Sequence, residues 1–317
     1  MRRARALALA CLLILPLGEL AAHARIVNDV VPDRDWAAAA AFVKHEWHER
    51  DLLTSAPRWT DPLLRLHAGS LISLDMAGRN DDAAYERLWV LSVRGALPDD
   101  VPPTQPAELD RSFGKVRVLR YALGKSPVLF DFVDALPSAH ASLGDQPCPY
   151  HKGGVPRGGG LGKGVLYPLA ESFECDPRRP WIFVGRVVLE DLELRPRRCI
   201  WQHPAGDQPV SSTFDDVPFG EALVLYAGIY YEHERMRDGG PAQLAVQING
   251  TPRGTLVHHD GAGFQRLSID THDLAGTRGQ VRIEISAHNP DRRSMCWAAT
   301  TRAAGDDERD TRGGAKR

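Results

Sequence analysis

The chain has 317 residues, with 39 Lys and Arg against 41 Asp and Glu, so its net charge is −2. That balance gives no electrostatic reason to expect a nucleic-acid partner. No segment after the N-terminus is apolar enough to span a bilayer, so no membrane span is expected in the mature chain.

The first residues read as an export signal. Arg2, Arg3 and Arg5 form a basic n-region, Ala6 to Leu17 an apolar h-region, and Ala22-His23-Ala24 an A-x-A cleavage site. The segment 1–24 is therefore expected to be removed near Ala24, leaving a periplasmic or secreted protein. Cys11 lies inside the h-region without the leading leucine of a lipoprotein signal. About 290 residues remain, a length that suits two domains.

The segment 25–147 alternates helix and short apolar strand. Asp35 is placed to cap a helix from Trp36 through the alanine run to about His48. Asp51 to Ala56 reads as a strand stopped by Pro57. Asp61-Pro62 opens a second helix that ends at Gly69. Leu71 to Leu74 reads as a further strand, Asp82 to Arg87 as a short helix, and Leu88 to Val93 as a strand. Beyond the proline-rich stretch 98–106, Lys115 to Leu123 and Val128 to Phe132 are strand-like. The pattern predicts a small α/β domain with a partly parallel sheet. It contains neither G-x-S-x-G nor G-x-G-x-x-G, which excludes a nucleophile elbow and a dinucleotide fingerprint. Trp59 and Asp75 fall where a loop would open at the carboxyl ends of the strands.

The segment 148–165 is rich in glycine. Lys163 is followed by Gly164 and not by Ser or Thr, so the segment reads as a linker and not as a P-loop.

From 166 to 302 the elements are short strands. Trp181 to Val188 and Val188 to Leu194 open the region, and Arg198 to Pro204 alternates with Cys199, Trp201 and His203 on one side. A long apolar strand follows from Leu223 to Tyr231. In the next strand Leu244, Val246 and Ile248 share one face. Asn249-Gly250 then predicts a type I′ hairpin turn. Val281, Ile283 and Ile285 repeat the alternation, and Ser294 to Thr301 closes the region. The expected fold is an all-β sandwich. The tail 303–317 is charged and glycine-containing, and is expected to be disordered.

Four cysteines remain after cleavage: Cys148, Cys175, Cys199 and Cys296. An even number in an exported chain predicts disulfides; of three pairings, Cys148–Cys175 and Cys199–Cys296 are favoured.

The apolar strand breaks at Tyr230-Tyr231-Glu232-His233-Glu234-Arg235. Read as a strand end, it places Tyr230, Glu232 and Glu234 on one face and Tyr231, His233 and Arg235 on the other. With Trp201, His203, His258, His259 and Asp260 these residues form a candidate binding cluster. Aromatic faces and charged hydrogen-bonding groups together suit sugar recognition. The plainer alternative, an ion-pair network with the tyrosines packed in the core, is the stronger of the two. A metal on His203, His233, His258 and His259 lacks a supporting spacing. Glu232 and Glu234 as an acid–base pair of a hydrolase is a further alternative.

The order of strands, the Asn249-Gly250 hairpin, the strand entered through Phe264 and the turn Asp273-Leu274-Ala275-Gly276 resemble the galactose-binding-like jelly rolls, which include many carbohydrate-binding modules. That resemblance covers residues 166 to 302 and implies a binding domain, often with a structural calcium ion. The arrangement of Trp36, Asp51 to Pro57, Trp59 and Arg87 to Val90 is similar to the soluble extracytoplasmic part of bacterial membrane glycosyltransferases of the protein-mannosyltransferase type. The membrane helices and the transferase site of those proteins are absent, so the similarity implies an association with envelope glycans and not transfer. The leading expectation is a non-catalytic envelope protein that binds a glycan or an envelope protein partner in cell-surface glycan assembly; the alternatives are a hydrolase acting on a surface polysaccharide and a purely structural interaction protein.

Overall fold

The structure is a computed structural model that describes residues 2–98, 105–152 and 171–303. The glycine-rich run from 153 and the tail from 304 lie outside the described residues. The chain divides into two compact units. The first comprises residues 1–71 and 88–122, the second residues 72–87 and 123–317.

The first unit holds helix α1 (Arg2–Asp29), α2 (Asp33–His45), strand β1 (Asp51–Ala56), α3 (Asp61–Ala68), β2 (Arg87–Val93), β3 (Leu109–Phe113) and β4 (Val116–Ala122). Its four-stranded sheet runs β1-β2-β4-β3, with β3 and β4 antiparallel. α1 covers the export-signal segment; among the described residues no helix is long and apolar enough to cross a membrane. In α2 the residues Trp36, Ala39, Ala40 and Val43 are buried, the spacing of one helical face. α2 begins at Asp33, not after Asp35, because Asp35 instead accepts the backbone N–H of Lys115 at 2.9 Å. On the sheet, Trp89 Nε1 donates to the buried carboxylate of Asp51 at 2.8 Å.

The second unit contains α4 (Leu74–Ala77), β5 (Val128–Asp131), α5 (Phe132–Ala135), β6 (His140–Leu143), β7 (Gln146–Pro147) and β8 (Tyr150–Lys152). It continues with β9 (Glu171–Glu174), β10 (Phe183–Glu190), β11 (Pro196–Gln202), β12 (Val210–Pro218), β13 (Ala222–Ile229) and α6 (Tyr231–Met236). β14 (Ala242–Ile248), β15 (Thr251–His258), β16 (Gln265–Asp270), β17 (Arg278–Ser286) and β18 (Met295–Arg302) complete it. One sheet runs β16-β13-β18-β11-β10-β9-β8, with β5 added on β18; the other runs β15-β14-β17-β12-β6-β7. From β12 onward the chain crosses repeatedly between the sheets, which makes the unit a jelly-roll sandwich.

Both inner faces feed one core. Leu244, Val246, Ile248, Val281, Ile283 and Ile285 are all buried, as their alternation predicts. At its centre Phe132, Phe214 and Trp297 meet edge to face, with ring centroids 4.9 to 6.2 Å apart. Asn249 and Gly250 have φ of 50° and 75°, the positive pair that a type I′ turn needs. Both disulfides are formed as expected, Cys148–Cys175 and Cys199–Cys296.

Several expectations are corrected. Residues 71–74 form no strand: Gly69–Leu71 is a 3-10 turn, and Ser73 caps α4 by accepting the N–H of Met76 at 3.1 Å. Residues 82–87 form no helix, because Asp81 accepts the N–H of Ala83 and so favours a turn. The two strands expected over 181–194 are one, β10, followed by a turn in which the Asp191 carboxylate accepts the N–H groups of Glu193 and Arg195. Residues 150–152, expected in the linker, pair with β9 as β8. Residues 123–147, placed by the sequence with the α/β domain, contribute β5 and β6 to the sandwich, paired with β18 and β12.

Candidate functional site

Tyr230 to Arg235 is not a strand end. The Tyr230 carbonyl accepts the N–H groups of His233 (3.0 Å) and Glu234 (3.1 Å), which winds the chain into α6. Neighbours are therefore set by helical spacing. The Tyr230 and His233 rings meet at 5.7 Å, Glu234 turns inward, and Glu232 and Arg235 face solvent.

Glu234 is fully buried. Its Oε1 accepts the N–H of Gly263 at 2.6 Å and lies 3.4 Å from His258 Nε2. His258, also fully buried, donates from Nε2 to the Gly263 carbonyl at 3.0 Å. Beside them Arg293 donates to Asp260 at 2.6 Å and to the Gly240 carbonyl at 3.1 Å. Burial pushes the Glu234 carboxyl up and the His258 imidazole down, so both are biased toward their neutral forms. Four side-chain atoms around this network, Glu234 Oε2, His258 Nδ1, Arg293 Nη2 and Tyr230 Oη, have no partner among the described residues.

The other sequence candidates scatter. Trp201 is buried, stacked on Phe183 with centroids 5.5 Å apart, and its Nε1 donates to the Trp181 carbonyl. His203 is buried and donates from Nδ1 to the Pro204 carbonyl at 2.8 Å; burial lowers its pKa to about 4. Tyr230 is buried, which pushes its phenol up. His233 lies 2.6 Å from the Ser294 hydroxyl, and burial lowers its pKa. His259 is exposed. The structure thus gathers Glu234, His258 and Asp260 around Arg293, which sequence reasoning missed, into an internal charge network. Tyr230 and Trp201 offer no open aromatic plate. Glu234 is enclosed while Glu232 is exposed, so the two carboxylates present no common accessible face for glycoside hydrolysis. Among the described residues no group of three or more His, Cys, Asp and Glu is placed to hold a metal ion.

A different part of the second unit forms a cavity of about 170 Å³. Its floor is the outer face of the first sheet, with Tyr226 of β13, Arg198 of β11, and Thr300 and Arg302 of β18. Asp131 and Asp134, at the start of α5, form one wall; residues 75–85 form the other. This second wall is tied to β11. The Arg198 N–H donates to the Gly78 carbonyl at 2.7 Å, and a Cβ on Gly78 would lie 2.9 Å from that nitrogen. Gly78 is therefore needed for the close approach.

Arg198 organises the polar groups. Its Nε lies 2.5 Å from Asp75, one terminal nitrogen pairs with Asp134, and the other lies 4.0 Å from Asp131. Arg302 pairs with Asp81, and Arg79 with Asp82 at 2.6 Å. Asp131 also caps α5 by accepting the N–H groups of Val133 and Asp134. Burial raises its pKa and the Asp134 charge adds to the rise. Tyr85 is pushed up to about 12 by burial. Asn80 lines the cavity, and its Oδ1 is buried without a hydrogen-bond partner among the described residues. Of these residues the sequence pointed to Asp75 by its position, and to Asp81 and Asp82 only as polar groups read as capping and surface solvation. The dense run Gly78-Arg79-Asn80-Asp81-Asp82 was the available signal, of which only Asp82 was assigned an element, the start of a short helix.

No family model and no curated relative matches the chain. Among solved structures it is similar to the CBM51-2 and INT domains of Clostridium perfringens ZmpB in complex with GlcNAc, at 10% identity, 38% of this chain, 26% of that one and a TM-score of 0.29. It is also similar to CBM51 of C. perfringens GH95 in complex with methyl-galactose, at 9% identity, 37% and 79% coverage and a TM-score of 0.26. The C-terminal CBM6 of LamC from Zobellia galactanivorans matches at 11% identity, 38% and 88% coverage and a TM-score of 0.25. The chain thus spans about a quarter of the length of the ZmpB structure. Likeness of this degree assigns neither ligand nor activity to the chain.

Proposed function

We propose that the chain is an exported, non-catalytic protein of the cell envelope that binds a glycan, and that the glycan occupies the polar pocket on the outer face of the first sheet. The observation that carries this reading is the convergence of Asp75, Asp134, Arg198 and Asn80 with the phenol rings of Tyr85 and Tyr226 around one cavity. Carboxylate, amide and guanidinium groups hold fixed hydrogen-bonding directions for sugar hydroxyls, and a ring can cover a C–H face. A concave site with a few convergent polar groups is the form that small-ligand sites take. Export is supported by the n-region, h-region and A-x-A sequence, together with two disulfides.

The test is glycan-array screening of the purified mature protein, followed by calorimetry on the strongest ligand. Tyr226→Ala and Asp75→Ala are each expected to weaken binding about tenfold, the loss of one stacking or charge-assisted contact. An array without ligands, or affinities unchanged in both variants, overturns the reading.

A further inference from the structure

The same pocket has a sign. Four carboxylates line it, those of Asp75, Asp81, Asp131 and Asp134, against the guanidinium groups of Arg79, Arg198 and Arg302. Arg79 is in turn neutralised by Asp82.

The cations are engaged. Arg198 faces three carboxylates with its Nε and both terminal nitrogens. Arg302 holds Asp81 and donates from Nε to the Thr300 hydroxyl at 3.1 Å. The acceptors are in surplus, because each carboxylate has two oxygens and several lone-pair sites. Asp75 and Asp134 are also the reachable ones, with side chains 63% and 67% exposed despite their pairing with Arg198. A uronate, phosphate or sulfate group entering the pocket would have to displace a carboxylate from Arg198 and meet the remaining negative charge. A ligand that brings N–H donors and a positive charge meets neither penalty.

Resting on the glycan-binding reading, we propose that this pocket selects glycans bearing a free amine, an unacetylated amino sugar, whose ammonium group binds between Asp75 and Asp134. N-acetylation removes the charge, reduces three N–H donors to one and adds a carbonyl acceptor, so the acetylated sugar binds more weakly. Uronate-bearing glycans are excluded.

Calorimetry of the full mature chain against matched oligomers of glucosamine, N-acetylglucosamine, glucose and galacturonate tests this. At low salt the glucosamine oligomer is expected to bind about tenfold tighter than its acetylated counterpart, and the advantage should shrink as salt rises. Asp134→Asn should erase that advantage while binding of the glucose oligomer persists. Glu232→Gln, outside the pocket, should leave it intact. Equal or tighter binding of the acetylated or uronate oligomer overturns the selectivity, as does an advantage that survives the double variant Asp75→Asn, Asp134→Asn. If neutral or acetylated oligomers bind at the pocket without an amine advantage, only the selectivity fails. If no oligomer of any class binds, the glycan-binding reading fails with it.

Discussion

Arg293, fully buried, donates from Nη1 to Asp260 Oδ1 at 2.6 Å, and the second oxygen of Asp260 accepts the N–H of Gly239 at 2.9 Å. One carboxylate therefore neutralises an enclosed cation and fixes the loop before β14. Removing it in Asp260→Ala leaves Arg293 uncompensated. The expected loss is about 3 to 5 kcal/mol in denaturant unfolding. A loss under about 1 kcal/mol, the range of a surface pair, would show that solvent reaches Arg293.

Acid sensitivity follows from the imidazoles. His203 has its pKa lowered to about 4 by burial, from an ordinary 6.5. The unfolded chain binds more protons between those values, so stability falls as pH drops from 6.5 to 4 and levels off below. The shift corresponds to about 3 kcal/mol when complete. His233 and His258 act in the same direction. Glu234 opposes them: its raised carboxyl pKa adds stability at low pH that is lost as pH rises through the folded-state value. Unfolding midpoints at pH 7, 5 and 4 should show the decline, with a shallower slope in His203→Gln.

Gly228, next to the last residue of β13, is crowded by an aromatic ring. A Cβ there would lie 2.3 Å from Phe264 Cδ2. Gly228→Ala must displace that ring, at an expected cost of about 1 to 3 kcal/mol. The double variant Gly228→Ala, Phe264→Leu should recover part of the loss, since the smaller side chain makes room. Thermal unfolding of the three proteins measures both effects.

The two disulfides differ in the loops they close. Cys199 and Cys296 are 97 residues apart, Cys148 and Cys175 are 27 apart. Loop-closure entropy in the unfolded chain makes the first bridge worth about 4.7 kcal/mol and the second about 3.5 kcal/mol. Paired alanine variants at each bridge, compared by denaturant unfolding, should rank in that order. The reverse order would mean that native packing around Cys148 outweighs chain entropy.

The sandwich was the legible part of the sequence, because alternation with a period of two is a direct imprint of one buried sheet face. Leu244, Val246 and Ile248 were assigned inward, and all are buried. Asn249-Gly250 marked its own turn. The candidate cluster at Tyr230 to Arg235 was misplaced for a local reason. Six residues of mixed polarity carry no strong period, and a single helical turn cannot be told from a strand end without the hydrogen bonds of the Tyr230 carbonyl. The internal charge network was foreseen as the stronger alternative, but not Arg293, which lies in the loop before β18 and outside the run that drew attention. The pocket was hidden because it joins Asp75 and Asp81 to Arg198 and Arg302 across more than a hundred residues. Only the fold supplies that proximity.

The sandwich unit draws residues 72–87 from the middle of the N-terminal stretch, between α3 and β2. No single cut of the polypeptide can therefore yield the two units intact. A fragment starting at residue 123 would keep Arg198, Arg302 and Tyr226 but lack Asp75, Arg79, Asn80, Asp81 and Tyr85. It would expose the pocket floor with one side missing. Gene fusions and shuffled modules that treat the C-terminal half as portable should express a sandwich whose pocket is incomplete.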